Sequence, residues 1–250
     1  MHQQKGWMMK AVRYTQSFVG IEPQVRELIL RELSVETSRV HYVANGIPDI
    51  WKPQPAAVEW GLPIPEKARV VGMIARMAEN KDPHTLVDAM VEVHRRCPDV
   101  HLIFAGTGPL EEQVRQHIAQ VGAEEYIHLL GLRRDVPDIL HAIDIFVLSS
   151  HLEGQPLAVI EAMSAQRPIV ATDVGGNSIL LDGGRCGVLV PPRDPQAMAA
   201  AILQLLTDRE KAQQLALNAR QRFLEQFTVD AMGKRYLEVY QQAIEGFRSG

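Results

Sequence analysis

Cysteine is scarce in this chain. Cys97 and Cys186 are the whole complement, and neither belongs to a Cys-x-x-Cys pair, so neither a disulfide framework nor a zinc site is indicated and a reducing compartment fits. Positive charge is not in excess: 26 Lys+Arg against 30 Asp+Glu leave a formal net charge of −4. That is not the balance of a protein that neutralises a phosphate backbone, and nucleic acid is not expected as a partner. No run approaches the ~18 uninterrupted apolar residues that read as a membrane span, and the opening Met1-His-Gln-Gln-Lys-Gly-Trp7 lacks the apolar core of a secretory signal. A cytoplasmic chain is expected. Peripheral contact with the inner face of the membrane stays open, because one amphipathic helix suffices for it. Also missing are Gly-x-x-x-x-Gly-Lys-Ser/Thr, His-Glu-x-x-His and an Asp-x-Asp that would hold a divalent ion on a diphosphate. No metal is expected and no resident cofactor is required.

What remains is the composition of a soluble globular protein, 46% hydrophobic and 22% charged, in a chain long enough to bury most of its apolar surface. The middle alternates short β-branched runs with helical patterns, the signature of a parallel sheet wrapped by helices. Six strands are expected, at Arg69–Ile74, Val100–Ala105, Ile127–Leu130, Ile143–Leu148, Pro168–Thr172 and Gly187–Val190. Most are apolar without strict alternation, so both faces of the sheet are covered. Helices are expected at Pro83–Arg96, Leu110–Val121, Val136–His141, Leu157–Ala165 and Pro195–Thr207. Asp82-Pro83 and Asp194-Pro195 each read as an N-cap followed by proline at the first helical position. The fold class is α/β, a Rossmann-like doubly wound parallel sheet, which carries its chemistry on loops at the carboxyl ends of the strands.

The ends read differently. Tyr14–Val19, Glu22–Leu33 and Val40–Ala44 make a strand, a helix and a strand, closed by Asn45-Gly46. A proline-bearing connector, Ile47–Pro55, then reads as a hinge between domains. Asp208–Gln226 and Val229–Arg248 make two terminal helices, the second capped by Thr228.

The richest stretch for chemistry is Ser149 to Met163. A strand ends, a loop carries Glu153, Gly154 and Gln155, and a helix opens at Pro156, so the N–H groups of Leu157 and Ala158 offer an anion site at the sheet edge. Glu161 lies about a turn inside that helix and is expected to face the same cleft as Glu153. On the residues alone, a cap at Glu153 and a solvated acid at Glu161 would be the commoner arrangement. Arg76 and Lys81 lie between a strand end and a helix start, where each could donate a charge-assisted bond to a diphosphate; two solvated cations is the plainer alternative.

Gly106-Thr-Gly108-Pro109 invites a dinucleotide reading. Glu111 occupies the place of its third glycine, so an NAD-type site is not expected. Asp173-Val-Gly175-Gly176-Asn177 is either an anion-binding turn or a tight turn with an Asn cap. His151 has no Ser or Cys partner visible in sequence and reads as a pocket wall.

Taken in order, these motifs resemble the carboxyl-terminal half of the group 1 retaining glycosyltransferases of the GT-B architecture. Glu153-Gly-Gln-Pro-Leu-Ala-Val-Ile-Glu161 is similar to the family's Glu-x7-Glu element. Arg76 and Lys81 fall where its diphosphate-binding Arg and Lys lie, with Gly106-Thr-Gly108-Pro109, Leu130-Gly131, Asp144–Ser150 and Pro168–Gly176 in the same order. Val43–Ile47 resembles the crossover between the family's two domains. The resemblance implies residues 1–48 as the end of an acceptor-side domain, 49–66 as a linker, 67–226 as the donor-binding domain and 227–250 as a helix returning to the first.

It further implies transfer of a sugar, with retention, from a UDP-, GDP- or ADP-sugar to a sugar or lipid-linked acceptor, the missing domain or a partner chain supplying the acceptor pocket. Arg76, Lys81 and the helix start at Leu157 and Ala158 would stabilise the leaving diphosphate. Glu153 would orient the sugar and Glu161 would hold the ribose. Two places depart from the family: Ile179 stands where an acid is usual, and Gly154-Gln155-Pro156 replaces Gly-aromatic-Gly. A nucleotide-sugar-binding module without turnover and a nucleotide-sugar epimerase are the alternatives.

Overall fold

A computed structural model describes residues 12, 14–52 and 60–249. The end of the expected connector, 53–55, lies in the segment 53–59 outside the described residues, as do 1–11, 13 and 250. The chain divides into two compact units, one formed by residues 1–48 with 225–250 and the other by 49–224.

The larger unit is built on strands of high β-branched content with little alternation: β3 (Arg69–Ile74), β4 (Val100–Ala105), β5 (Ile127–Leu129), β6 (Ile145–Leu148), β7 (Ile169–Thr172) and β8 (Val188–Val190). They form one sheet of order β5-β4-β3-β6-β7-β8, and every neighbouring pair is parallel. Apolar side chains on both faces leave β4, β6 and β7 wholly buried, which requires helices on either side. These are α2 (Pro83–Arg96), α3 (Glu111–Gln120), α4 (Val136–Ala142), α5 (Leu157–Ser164), α6 (Gly176–Leu180), α7 (Pro195–Thr207) and α8 (Arg209–Gln226). The strand order reverses between β3 and β6, and the crevice of such a sheet opens outside the carboxyl ends of the strands at that point.

Both aspartate–proline signals act as expected. Asp82 accepts from the Thr85 N–H at 3.3 Å and Asp194 from the Ala197 N–H at 2.8 Å, each one residue ahead of a proline. The strand expected from Ile143 begins at Ile145 instead. Ile143 still closes α4, its N–H bonding the Ile139 carbonyl at 3.1 Å, and the Asp144 carboxylate accepts from the Val70 N–H at 2.7 Å.

In the smaller unit, β1 (Phe18–Gly20) pairs in parallel with β2 (Val40–Tyr42), and α1 (Pro23–Leu33) connects them. The expected strand at Tyr14–Val19 is thus shorter and shifted toward Gly20. Ile47 bridges Thr228, with Ile47 N–H to the Phe227 carbonyl at 2.9 Å and Val229 N–H to the Ile47 carbonyl at 3.2 Å. The terminal helix α9 (Val229–Ser249) starts there, and the Thr228 hydroxyl caps it by accepting from the Ala231 N–H at 3.1 Å.

Candidate functional site

Three strand ends and one helix converge on a cleft of about 680 Å³. Ile74 ends β3 and Ala75 and Arg76 follow it, Ala105 ends β4 and Gly106 to Pro109 follow it, Leu132 and Arg133 come from the loop after β5 with Val136 at the start of α4, and Ala158 and Glu161 come from the first turns of α5. Of the residues expected to bind a donor, the cleft brings together Arg76, Gly106, Gly108, Ala158 and Glu161. Arg76 is exposed. Glu161 is sunk in the wall, and burial pushes its carboxyl above its ordinary value.

The glycines of the β4 loop have a steric reason. A Cβ on Gly106, at φ +143, would lie 2.0 Å from the Ala75 carbonyl oxygen, and one on Gly108 would lie 2.2 Å from that of Met77. The loop after β4 therefore runs against the loop after β3, and Met77 N–H bonds the Thr107 carbonyl at 3.1 Å. Only glycine permits this approach, which keeps the Arg76 loop and the β4 loop on the same cleft.

Glu153 does not line the cleft with Glu161, as the sequence reading expected; its carboxylate meets Lys81 instead. The Lys81 Nζ lies 2.5 Å from Glu153 Oε1, and the Ser150 hydroxyl donates to the same oxygen at 2.5 Å. The Glu153 side chain is 6% exposed and that of Lys81 is 20% exposed. Lys81 likewise falls outside the cleft lining, although it belongs to the loop that carries Arg76. The two loops are bonded through backbone as well. The Ser149 hydroxyl donates toward the Lys81 and Asp82 carbonyls at 3.0 and 2.8 Å, and His151 N–H bonds the Asn80 carbonyl at 3.0 Å. His151, read as a pocket wall, lies outside the cleft lining.

Gly154 to Leu157 lead from this pair into α5. Pro156 stands at its N-cap, and the first amide with an intrahelical acceptor is that of Val159, bonded to the Pro156 carbonyl at 3.2 Å. The N–H groups of Leu157 and Ala158 precede it, at the positive end of the helix dipole. The Gly175-Gly176 turn packs on this loop: a Cβ on Gly175 would lie 1.9 Å from the Glu153 carbonyl oxygen, and Gly176 N–H bonds that of Gly154 at 3.0 Å. The turn is tight but has no Asn cap: Gly175 stands at the N-cap of α6 without a side-chain bond, and the Asn177 amide donates instead to the Thr172 carbonyl at 2.9 Å.

Sequence reasoning did not find Arg133. Its guanidinium reaches the cleft wall while bonding both oxygens of Asp135. The available signal was Gly131-Leu-Arg-Arg-Asp135 directly after a strand. Among the described residues no group of three or more His, Cys, Asp or Glu side chains is placed to hold a metal ion, and no helix is long and apolar enough to cross a membrane.

A parallel six-stranded sheet with helices on both faces and a cleft at its switch point defines the chain as an α/β protein of the doubly wound kind. The family model described as glycosyl transferases group 1 matches residues 68–208, more than half of the 250, and the chain belongs to that family. It is 26% identical over 241 residues to an alpha-D-kanosaminyltransferase of Streptomyces kanamyceticus, covering 93% of this chain and 62% of the relative. With an Escherichia coli UDP-Gal:alpha-D-GlcNAc-diphosphoundecaprenol alpha-1,3-galactosyltransferase it shares 26% over 231 residues, 88% of this chain and 58% of the relative. The Anabaena protein HepE, solved with UDP-glucose, superposes with a TM-score of 0.76 at 25% identity, over 94% of this chain and 64% of that one. The fold is that of the GT-B glycosyltransferases, and this chain spans less than two thirds of the length of each of these three.

Proposed function

We propose that this chain is the donor-binding part of a glycosyltransferase that moves a sugar from a nucleoside diphosphate sugar to an acceptor hydroxyl with retention. The observation that carries the reading is the cleft at the sheet's carboxyl edge, where Arg76, the Gly106-Thr-Gly108 loop, Ala158 and Glu161 meet beside the Lys81–Glu153 pair. The chemical difficulty is charge, since an oxocarbenium-like sugar forms while a diphosphate leaves. Arg76, Lys81 and the amides of Leu157 and Ala158 would stabilise the leaving group electrostatically, the contribution that is usually largest. No metal is needed for that. Glu153 orients the donor sugar and favours positive charge near its ring, with Gly154, Gln155 and Pro156 shaping the sugar pocket. Glu161 accepts hydrogen bonds from the ribose hydroxyls. Arg133 adds a second guanidinium to the diphosphate side of the cleft.

On this reading residues 1–48 are the end of an acceptor-side domain, 49–66 its linker, 67–226 the donor domain and 227–250 the helix that returns. The acceptor is a sugar or a lipid-linked sugar, in keeping with the diphosphoundecaprenol in the name of the Escherichia coli relative, and the site of action is the cytoplasm or the inner face of the membrane. A second reading, for the chain by itself, is capture of nucleotide sugar without turnover.

Calorimetric titration with UDP, GDP and ADP, with and without magnesium, tests the proposal. Metal-independent binding of one nucleotide, weakened by Lys81→Ala and by Arg76→Ala, is the expected result. A folded chain that binds none of the three overturns it. Transfer or donor hydrolysis by the purified chain separates turnover from capture.

A further inference from the structure

Glu153 and Lys81 have separate tasks in the proposed reaction, yet here they neutralise each other. One carboxylate oxygen of Glu153 takes both the Lys81 ammonium and the Ser150 hydroxyl, each at 2.5 Å. Ser150 is fully buried and its backbone carbonyl accepts from the Thr172 hydroxyl, so the group that holds Glu153 from below is fixed. Lys81 sits on a four-carbon stem, with a fifth of its side chain still exposed, and can turn away. Glu153, 6% exposed, cannot exchange its ammonium for bulk water. A buried carboxylate that loses its cation costs far more than a surface one unless another donor replaces it.

Resting on the donor-site reading above, we propose that Glu153 is a specificity-determining residue: it withholds Lys81 from a bare nucleoside diphosphate and yields it when a sugar is attached. A nucleoside diphosphate that draws Lys81 to its phosphates leaves Glu153 with Ser150 as its one side-chain donor. A nucleotide sugar draws Lys81 in the same way, but its sugar hydroxyls donate to the vacated carboxylate oxygens. The exchange makes the sugar-bearing nucleotide the preferred ligand. It also returns Lys81 to Glu153 once the sugar has been transferred, which hastens departure of the product nucleotide.

The test titrates the wild type, Glu153→Gln, Lys81→Ala and the double variant with UDP, GDP and ADP. Glutamine keeps the shape of residue 153 and its hydrogen bond with Ser150 but releases the ammonium. Glu153→Gln is expected to bind the nucleoside diphosphate on the order of tenfold more tightly than the wild type, and the gain is expected to vanish in the Lys81→Ala background. Glu153→Asp, which sets the carboxylate back from Lys81 by one methylene and so weakens the pair, is expected to move affinity in the same direction to a smaller extent and serves if the glutamine variant is unstable. If Lys81→Ala weakens binding while Glu153→Gln leaves it unchanged or weaker, the exchange is wrong and the donor site stands. A gain that survives without Lys81 also overturns it, because Glu153 would then act by repelling the phosphates directly. If neither variant alters binding, the donor assignment of Lys81 falls along with the exchange.

Discussion

At the scale of single residues, Glu161 is the group whose charge state is most exposed to test. Burial raises its carboxyl above the ordinary value of 4.5, so it protonates at a higher pH than a solvated glutamate would. If it accepts from ribose hydroxyls, protonation removes acceptor capacity. Nucleotide affinity should therefore fall as pH is lowered while it is still above 4.5, and Glu161→Gln should flatten that profile in calorimetry run from neutral pH downward. Gly106 gives a second prediction. An added methyl would meet the Ala75 carbonyl oxygen at 2.0 Å in a backbone region that disfavours side chains. Gly106→Ala should cost roughly 1–3 kcal/mol in denaturant unfolding and loosen nucleotide binding, since the loop that yields carries the cleft wall. These residues were legible in sequence because they sit in short motifs beside strand ends. The Lys81–Glu153 pair was not, since its partners lie 72 positions apart and each was assigned to a ligand and not to the other.

At the scale of elements, the local signals were well placed. Asp82-Pro83, Asp194-Pro195 and the β-branched runs gave helices and strands within a few residues of those observed, because caps and apolar runs act locally. Long-range pairings had no such signal. Asp49 and Arg220 form a bidentate pair at 2.5 and 2.6 Å, and Ser164 donates to Asp49 Oδ1 at 3.0 Å. This anchors the chain just after Pro48 onto α5 and α8 of the same unit. Arg220 bonds hold the Asp49 carboxyl below its ordinary 3.8, so the stability it contributes is present above that value and is lost as pH falls beneath it. Arg220→Ala should destabilise by roughly 1–2 kcal/mol after allowance for exposure of the pair, read as a lower denaturation midpoint.

The edge of the sheet behaves differently in acid. His101 on β4 and His128 on β5 stack with ring centroids 5.4 Å apart and share a hydrogen bond of 3.1 Å. Burial lowers the pKa of both below 6.5. The unfolded chain therefore takes up these protons first, and stability should decline as pH falls below 6.5 toward the folded values. A double His101→Gln, His128→Gln variant should show a smaller change in Tm over that interval.

At the scale of the whole molecule, what sequence could not supply was arrangement. Six strands were countable, but nothing local to them carried their order, which the ladder pairings fix. Helix α9 carries a stripe of Leu237, Tyr240, Ile244 and Phe247, each more than half exposed. Apolar side chains three and four residues apart share a helix face, and a contiguous patch of this kind favours association. The purified chain is expected to self-associate with rising concentration in sedimentation velocity, and Leu237→Lys with Phe247→Glu to suppress it.

The hydroxyl of Ser149 ties the loop bearing Arg76 and Lys81 to the loop bearing Ser150 and Glu153. An engineer who wished to change the sugar accepted by such a site would therefore find the phosphate grip changing too. Substitutions on the two loops should combine non-additively in a double-mutant cycle, and altered donor preference should be reached most readily by paired changes, one on each side of that bond.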